Sequence, residues 1–140
     1  MNIIAIDVSK EFLDILAGDD PKTALYEKIE NTTEALKEFL QRHQCAPEKW
    51  MVIMESTGDY HRTPAIFFLQ NKFPVKILNP ILVNQYTKAT IRKIKTDKTD
   101  TVKIMKLGFA GEGDEVSLEA FNNTSKELLI CLKASPLKLA

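Results

Sequence analysis

Apolar positions along the chain fall into short continuous or alternating runs near the N-terminus and into helical spacing further on. Asn2 to Val8 is an apolar run ending around Asp7, and Phe12 to Ala17 is a second one after the polar Ser9-Lys10-Glu11, which together predict a hairpin. Gly18-Asp19-Asp20-Pro21 is a turn cluster, and the loose alternation from Thr23 to Ile29 predicts a third, more exposed strand. Asn31-Thr32-Thr33-Glu34 has the small polar cap and early glutamate of a helix start. Ala35, Leu36, Phe39 and Leu40 then share one helical face, so a helix is expected to about His43. Pro47-Glu48-Lys49 breaks it. Trp50 to Met54 is continuously apolar, as a strand buried on both faces would be, and it ends at Glu55, with Gly58 as a turn residue.

A second helix is predicted from about Tyr60 to Asn71 on the spacing of Ala65, Ile66, Phe68 and Leu69, and Phe73-Pro74 leads into a short strand over Val75 to Leu78. Asn79-Pro80 begins a third helix, running to about Thr90. Ile91 to Thr96 has no period and is expected to be a basic loop. Asp97 to Leu107 is expected to be helical, ended by Gly108 and Gly111-Glu112-Gly113. From Asp114 onward the pattern is weak, although Lys126 to Lys133 has the apolar content of a helix that packs on something. Three strands, a helix, then strand-helix-strand-helix is the order of an α/β ribonuclease H-like domain. Its mixed five-stranded sheet has flanking helices, and its first and fourth strands lie side by side and parallel. That order makes Asp7 and Glu55 emerge together.

Length and composition narrow the function classes. With 140 residues, 44% of them hydrophobic, one self-supporting core is expected. The two cysteines, Cys45 and Cys131, are far apart and lack zinc-site spacing, which favours a reducing cytoplasm. No signal peptide or membrane-length apolar run is present. The formal net charge of zero hides a segregation. Tyr60 to Lys106 holds ten basic residues against Asp97 and Asp100, a balance of +8 that the rest of the chain offsets. Such a stretch suits a polyanion.

The candidate chemistry lies in four acids. Asp7 and Glu55 singly read as solvated strand ends, but two carboxylates brought close repel each other unless a cation lies between them. Asp97 and Asp100 are three residues apart on one helix, where capping and the helix dipole explain both on local grounds. Local capping leaves unexplained the basic residues around them and a helix start expected beside Asp7 and Glu55. An all-carboxylate set suits Mg²⁺ or Mn²⁺ rather than zinc, and His43 and His61 are not spaced as ligands. Two such ions activate an oxygen nucleophile and stabilise the leaving oxygen in phosphodiester transfer, with Arg92, Lys93, Lys95, Thr96 and Lys98 available to nucleic-acid phosphates. Trp50, Phe67, Phe68 and Phe73 read as core, and Tyr60 and Tyr86 as either core or base-stacking residues.

Four segments resemble the N-terminal domain of the DEDD insertion-sequence transposases, the family that includes the Piv DNA invertases. They are Ile4-Ala5-Ile6-Asp7-Val8-Ser9-Lys10, Met54-Glu55-Ser56-Thr57-Gly58-Asp59-Tyr60-His61, Val75 to Pro80, and Lys95-Thr96-Asp97-Lys98-Thr99-Asp100. They occur in order over roughly the first 110 residues. The resemblance implies a RuvC-like fold, divalent-metal catalysis by Asp7, Glu55, Asp97 and Asp100, DNA as partner, and for some members a structured guide RNA. Thr101 departs from the small alanine that usually follows the last aspartate. The resemblance also implies a RuvC-like DEDD catalytic domain over 1–110 and a tail over 111–140. That tail is expected to be the start of a truncated helical connector to a second domain with a serine nucleophile. Ser117, Ser125 and Ser135 lack the context of that nucleophile.

The expected function is therefore the catalytic domain of a DNA transposase or site-specific recombinase, incomplete without that second domain. Apolar surface left by the connector points to a homodimer, and the setting is prokaryotic, cytoplasmic and nucleoid-associated, with no membrane association. The alternative from a different class is a non-catalytic nucleic-acid-binding or assembly module in which the acids are structural. An actin-like ATPase fragment is disfavoured, because Val8 stands where its phosphate-binding turn needs glycine.

Overall fold

Ile3, Ile4, Ala5 and Ile6 are all at most 2% exposed, so the first strand is covered on both faces. That explains why its sequence is continuously apolar rather than alternating. The computed structural model describes residues 1–56, 58–90 and 97–122, with the backbone alone at 86–90, 97–99 and 122. Strands β1 (Asn2–Val8), β2 (Phe12–Gly18) and β3 (Leu25–Glu30) form an antiparallel meander. Helix α1 (Thr33–His43) then crosses to β4 (Trp50–Glu55), which lies parallel beside β1. Helix α2 (Arg62–Gln70) crosses to β5 (Val75–Leu78), parallel to β4. Helices α3 (Pro80–Thr90) and α4 (Asp97–Phe109) follow, then β6 (Asp114–Val116) and α5 (Leu118–Asn122).

The sheet order is β3-β2-β1-β4-β5-β6. Alternation along the strands sorts the core into two layers. Ile4, Ile6, Leu13, Ile15, Val52 and Met54 pack with Leu36 and Phe39 of α1 and Phe67 and Phe68 of α2. Ile3, Ala5, Leu16 and Ile53 pack on the other face with Val83 of α3 and Ile104, Met105 and Leu107 of α4. Both parallel crossovers run in the same sense across the sheet, and a common handedness puts α1 and α2 on the same side.

The expected mixed sheet with flanking helices is present, and it has a sixth strand where five were expected. β6 pairs antiparallel with β5 through Val75↔Val116 and Ile77↔Asp114. Three residues with two exposed acids gave no legible period. The first residues past position 110 are thus built into the sheet, and α5 packs on α2.

Gly108 does not end α4. The helix continues to Phe109 and closes at Gly111, whose φ of +86° suits glycine. The closing bonds are Gly111 N–H to the Gly108 carbonyl and Glu112 N–H to the Leu107 carbonyl, each 3.0 Å. Within the expected helix start, Thr32 is the cap of α1, its hydroxyl accepting from Ala35 N–H at 3.1 Å. The expected basic loop over 91–96 and the expected helix over 126–133 lie outside the described residues.

Candidate active site

The parallel pairing of β1 with β4 runs from Asn2↔Trp50 to Ile6↔Met54, so Asp7 and Glu55 are the next residues along two neighbouring strands. Adjacent strands lie about 4.8 Å apart, and residues two apart share a face. Ala5 and Ile53 face α4, and therefore so do Asp7 and Glu55. Both acids are half-buried. The Ser56 N–H continues the ladder to the Leu78 carbonyl at 3.1 Å, which holds the end of β4 straight through Glu55.

Helix α4 brings the next acid to that face. A Cβ added at Gly108 would lie 3.1 Å from Ile3 Cδ1 and 3.2 Å from Ile53 Cδ1, so the C-terminal part of the helix rests on the start of β1 and the middle of β4. The helix packs on β1, β2 and β4. From Gly108 back to Asp100 is about 12 Å at helical rise, and from Ile3 to Asp7 about 13 Å along a strand. The helix therefore has the length to span the stretch of β1 between Ile3 and Asp7. Asp100 is partly buried, and its Oδ1 is 3.3 Å from Lys103 Nζ, an i, i+3 pair in which Lys103 is itself buried. Asp97 is the first helical residue, and its side chain lies outside the described residues.

Among the described residues, no three His, Cys, Asp or Glu side chains are grouped closely enough to hold a metal ion. The structure thus brings Asp7 and Glu55 together as strand neighbours and sets Asp100 on the helix that covers them. Arg92, Lys93, Lys95 and Thr96 lie outside the described residues, and Lys98 is described by its backbone alone.

A further acid was missed by sequence reasoning. Asp14 is the register partner of Asp7 across the β1–β2 hairpin and lies on the same face. It is 5% exposed, accepts a hydrogen bond from the Tyr26 hydroxyl at 2.5 Å, and lies 3.8 Å from Lys28 Nζ. The hairpin turn around Lys10-Glu11 already implied that Asp14 would face Asp7; its place inside an apolar run hid it. With a phenol and an ammonium from β3 beside it, Asp14 has local partners that account for its burial.

The connection after Glu55 turns at Gly58, with φ +52°, and leads to His61 at the start of α2. The His61 ring stacks edge-on against Phe121 of α5 at 6.1 Å. Burial of the imidazole pushes its pKa below the ordinary histidine value. The charge of Asp59 opposes that shift, Arg62 adds to it, and the Gly58 carbonyl opposes it. Arg62 ties α2 to α5, donating to the Phe121 carbonyl at 3.3 Å with its guanidinium 5.5 Å from the Phe121 ring.

The β3-β2-β1-β4-β5 order with flanking helices places the domain in the RuvC-like class of α/β fold. T. thermophilus RuvC in complex with Holliday junction substrate aligns at TM-score 0.57 and 12% identity, over 83% of this chain and 99% of that one. The Thermus thermophilus RuvC structure aligns at TM-score 0.53, also 12% identical, over 83% and 100%. Within that class, the chain belongs to the IS110-type DEDD transposases, whose family model, described as a transposase, matches residues 4–131. It is 25% identical over 107 residues to the pilin gene-inverting protein of Moraxella bovis and 24% identical over 107 residues to that of Moraxella lacunata. Each match covers 75% of this chain but 33% of the relative, so the chain spans about a third of those proteins' length.

Proposed function

We propose that this chain is the metal-dependent strand-cleaving domain of a DNA transposase or site-specific recombinase, with Asp7, Glu55, Asp97 and Asp100 as its catalytic carboxylates. The observation that carries the reading is the β1–β4 register, which makes Asp7 and Glu55 neighbours on the face that α4 covers. Two half-buried carboxylates on adjacent strands repel each other, and a bound cation removes that cost.

The donor set fits a hard divalent ion. Mg²⁺ commonly takes one or two protein carboxylates and completes its shell with water and substrate phosphate oxygens, so Asp7 and Glu55 suffice to begin a site that the α4 acids complete. When bound, a pair of Mg²⁺ or Mn²⁺ ions supplies Lewis acidity at the scissile phosphate and lowers the pKa of an attacking hydroxyl or water. Asp7 and Glu55 hold and orient from the sheet, and Asp97 and Asp100 from the helix. Arg92, Lys93, Lys95, Thr96 and Lys98 bind the DNA backbone, within the stretch whose charge is +8. Completing recombination needs the part of the relatives that this chain does not span. A guide RNA and a second copy of the chain are further partners of the same reading, and its setting is the prokaryotic nucleoid.

A second reading, a nucleic-acid-binding module with structural acids, draws on the Asp100–Lys103 pair, which already neutralises one carboxylate. Affinity for a labelled four-way DNA junction, measured with and without Mn²⁺, separates the two. The catalytic reading expects Mn²⁺ to tighten binding and Asp7→Asn with Glu55→Gln to abolish that effect. Binding indifferent to metal in the unaltered chain, and unchanged in the double variant, would favour the structural module.

A further inference from the structure

Asn31 sits at the junction between β3 and α1, one residue before the α1 cap. Its side-chain nitrogen donates to the Ser9 carbonyl at 3.0 Å and to the Tyr60 carbonyl at 3.1 Å. Its backbone N–H donates to the Glu11 carbonyl at 2.9 Å. The amide orientation is dictated by chemistry, since only the NH₂ end can satisfy two carbonyls. The cost falls on Oδ1, which is buried and has no hydrogen-bond partner among the described residues. An asparagine free to turn outward would relieve that acceptor in water, so the two carbonyls must hold it.

The positions of those carbonyls give the contact its meaning. Ser9 is the second residue after Asp7, and Tyr60 the fifth after Glu55. Each connection also has short-range bonds of its own among the described residues. Ser9 N–H and Oγ both donate to the Phe12 carbonyl, at 3.0 and 2.8 Å, and Arg62 N–H donates to the Asp59 carbonyl at 3.2 Å. Such bonds shape each turn without relating one to the other. Asn31 does relate them, because a single planar amide spans both.

We propose that Asn31 is a positioning residue for the Asp7–Glu55 pair, tying the chain beyond Asp7, at Ser9, to the chain beyond Glu55, at Tyr60. The inference rests on the reading of those acids as a metal-binding site. Strand ends open more readily than strand centres, and a tie just beyond both acids keeps the two carboxylates at a fixed separation. A side chain two residues from one acid and five from the other can do this without touching either.

The test uses the full chain and two substitutions, the isosteric Asn31→Asp, which sets oxygens against both carbonyls, and Asn31→Ala, which adds no charge. Amide hydrogen exchange reads the tie, and calorimetric titration with Mn²⁺ reads the acids. Exchange is expected to speed up together at residues 9–12 and 60–62, by about tenfold, with Ile4 and Ile53 unchanged. Mn²⁺ affinity is expected to fall about three- to tenfold. Acceleration in one connection only would overturn the proposal. So would loosening of both connections with Mn²⁺ affinity intact, since Asn31 would then be purely structural. If the unaltered chain binds no Mn²⁺, the metal-site reading fails and the positioning role with it, whereas the exchange data still judge the tie itself.

Discussion

Gly108 of α4 rests directly on Ile3 of β1: a Cβ at position 108 would come within 3.1 Å of Ile3 Cδ1 and within 3.2 Å of Ile53. This contact fixes how close the acid-bearing helix comes to the sheet. In an exposed helix, replacing glycine by alanine gains up to about 1 kcal/mol. Here the tight contact offsets that gain, and Gly108→Val is expected to destabilise by about 1–3 kcal/mol through overpacking. Urea unfolding of both variants checks this, with alanine near neutral and valine clearly lower.

Removing the Tyr26 hydroxyl takes a hydrogen bond from Asp14, a carboxylate only 5% exposed. Bonds to charged groups contribute about 1.5–3 kcal/mol, and the partly exposed phenol puts Tyr26→Phe near the lower end. The neighbouring Leu25, 64% exposed, provides the control, since Leu25→Ala should change stability by less than about 0.5 kcal/mol. Equal stabilities for the two variants would remove Tyr26 from the support of Asp14.

Acidification is expected to destabilise the fold in two stages. Burial lowers the His61 pKa, so the unfolded chain takes up this proton first. Stability is complete above the ordinary histidine value, about 6.5, and falls as pH drops from there through the lower folded value. For Glu27, burial pushes the pKa up, but hydrogen bonds from His43, at 2.9 Å, and from Arg42, together with their charges, outweigh it and hold the carboxyl below its usual range. Its contribution is present above the ordinary glutamate value and is lost as pH falls through the lower folded one. Melting temperature against pH should therefore flatten just below about 6.5 in His61→Gln, and at more acid pH in Glu27→Gln.

Lys103 and Asp100 should be energetically coupled. A double-mutant cycle of Lys103→Met and Asp100→Asn is expected to give about 1–2 kcal/mol, less than a fully buried pair because Asp100 retains 26% exposure. Denaturant titration of the four proteins measures it. Strict additivity would mean that the 3.3 Å contact contributes nothing to stability.

Much of the fold was legible because its strong signals are two-sided. Trp50 to Met54 reads as a buried strand because both faces are covered, and Thr32 with Glu34 announces α1 through the chemistry of a helix start. What escaped had local patterns that tertiary contacts overrule. Gly108 looks like a helix end but is a close-approach site, and Asp114 to Val116 is too short and polar to read as a strand until β5 offers its edge. The pairing of Asp7 with Glu55 was legible as a consequence of strand order, whereas Asp14 required counting the hairpin register. Asn31, read as part of a helix cap, is tied instead to carbonyls 22 and 29 residues away, a separation that no local pattern encodes.

Whether Asp7 and Glu55 form a cation site together decides the proposed function. Isothermal titration of Mn²⁺ or Mg²⁺ into the chain and into an Asp7→Ala, Glu55→Ala variant addresses this directly. Saturable heats from the unaltered chain that vanish in the variant are the predicted result; equal heats from both proteins would contradict it.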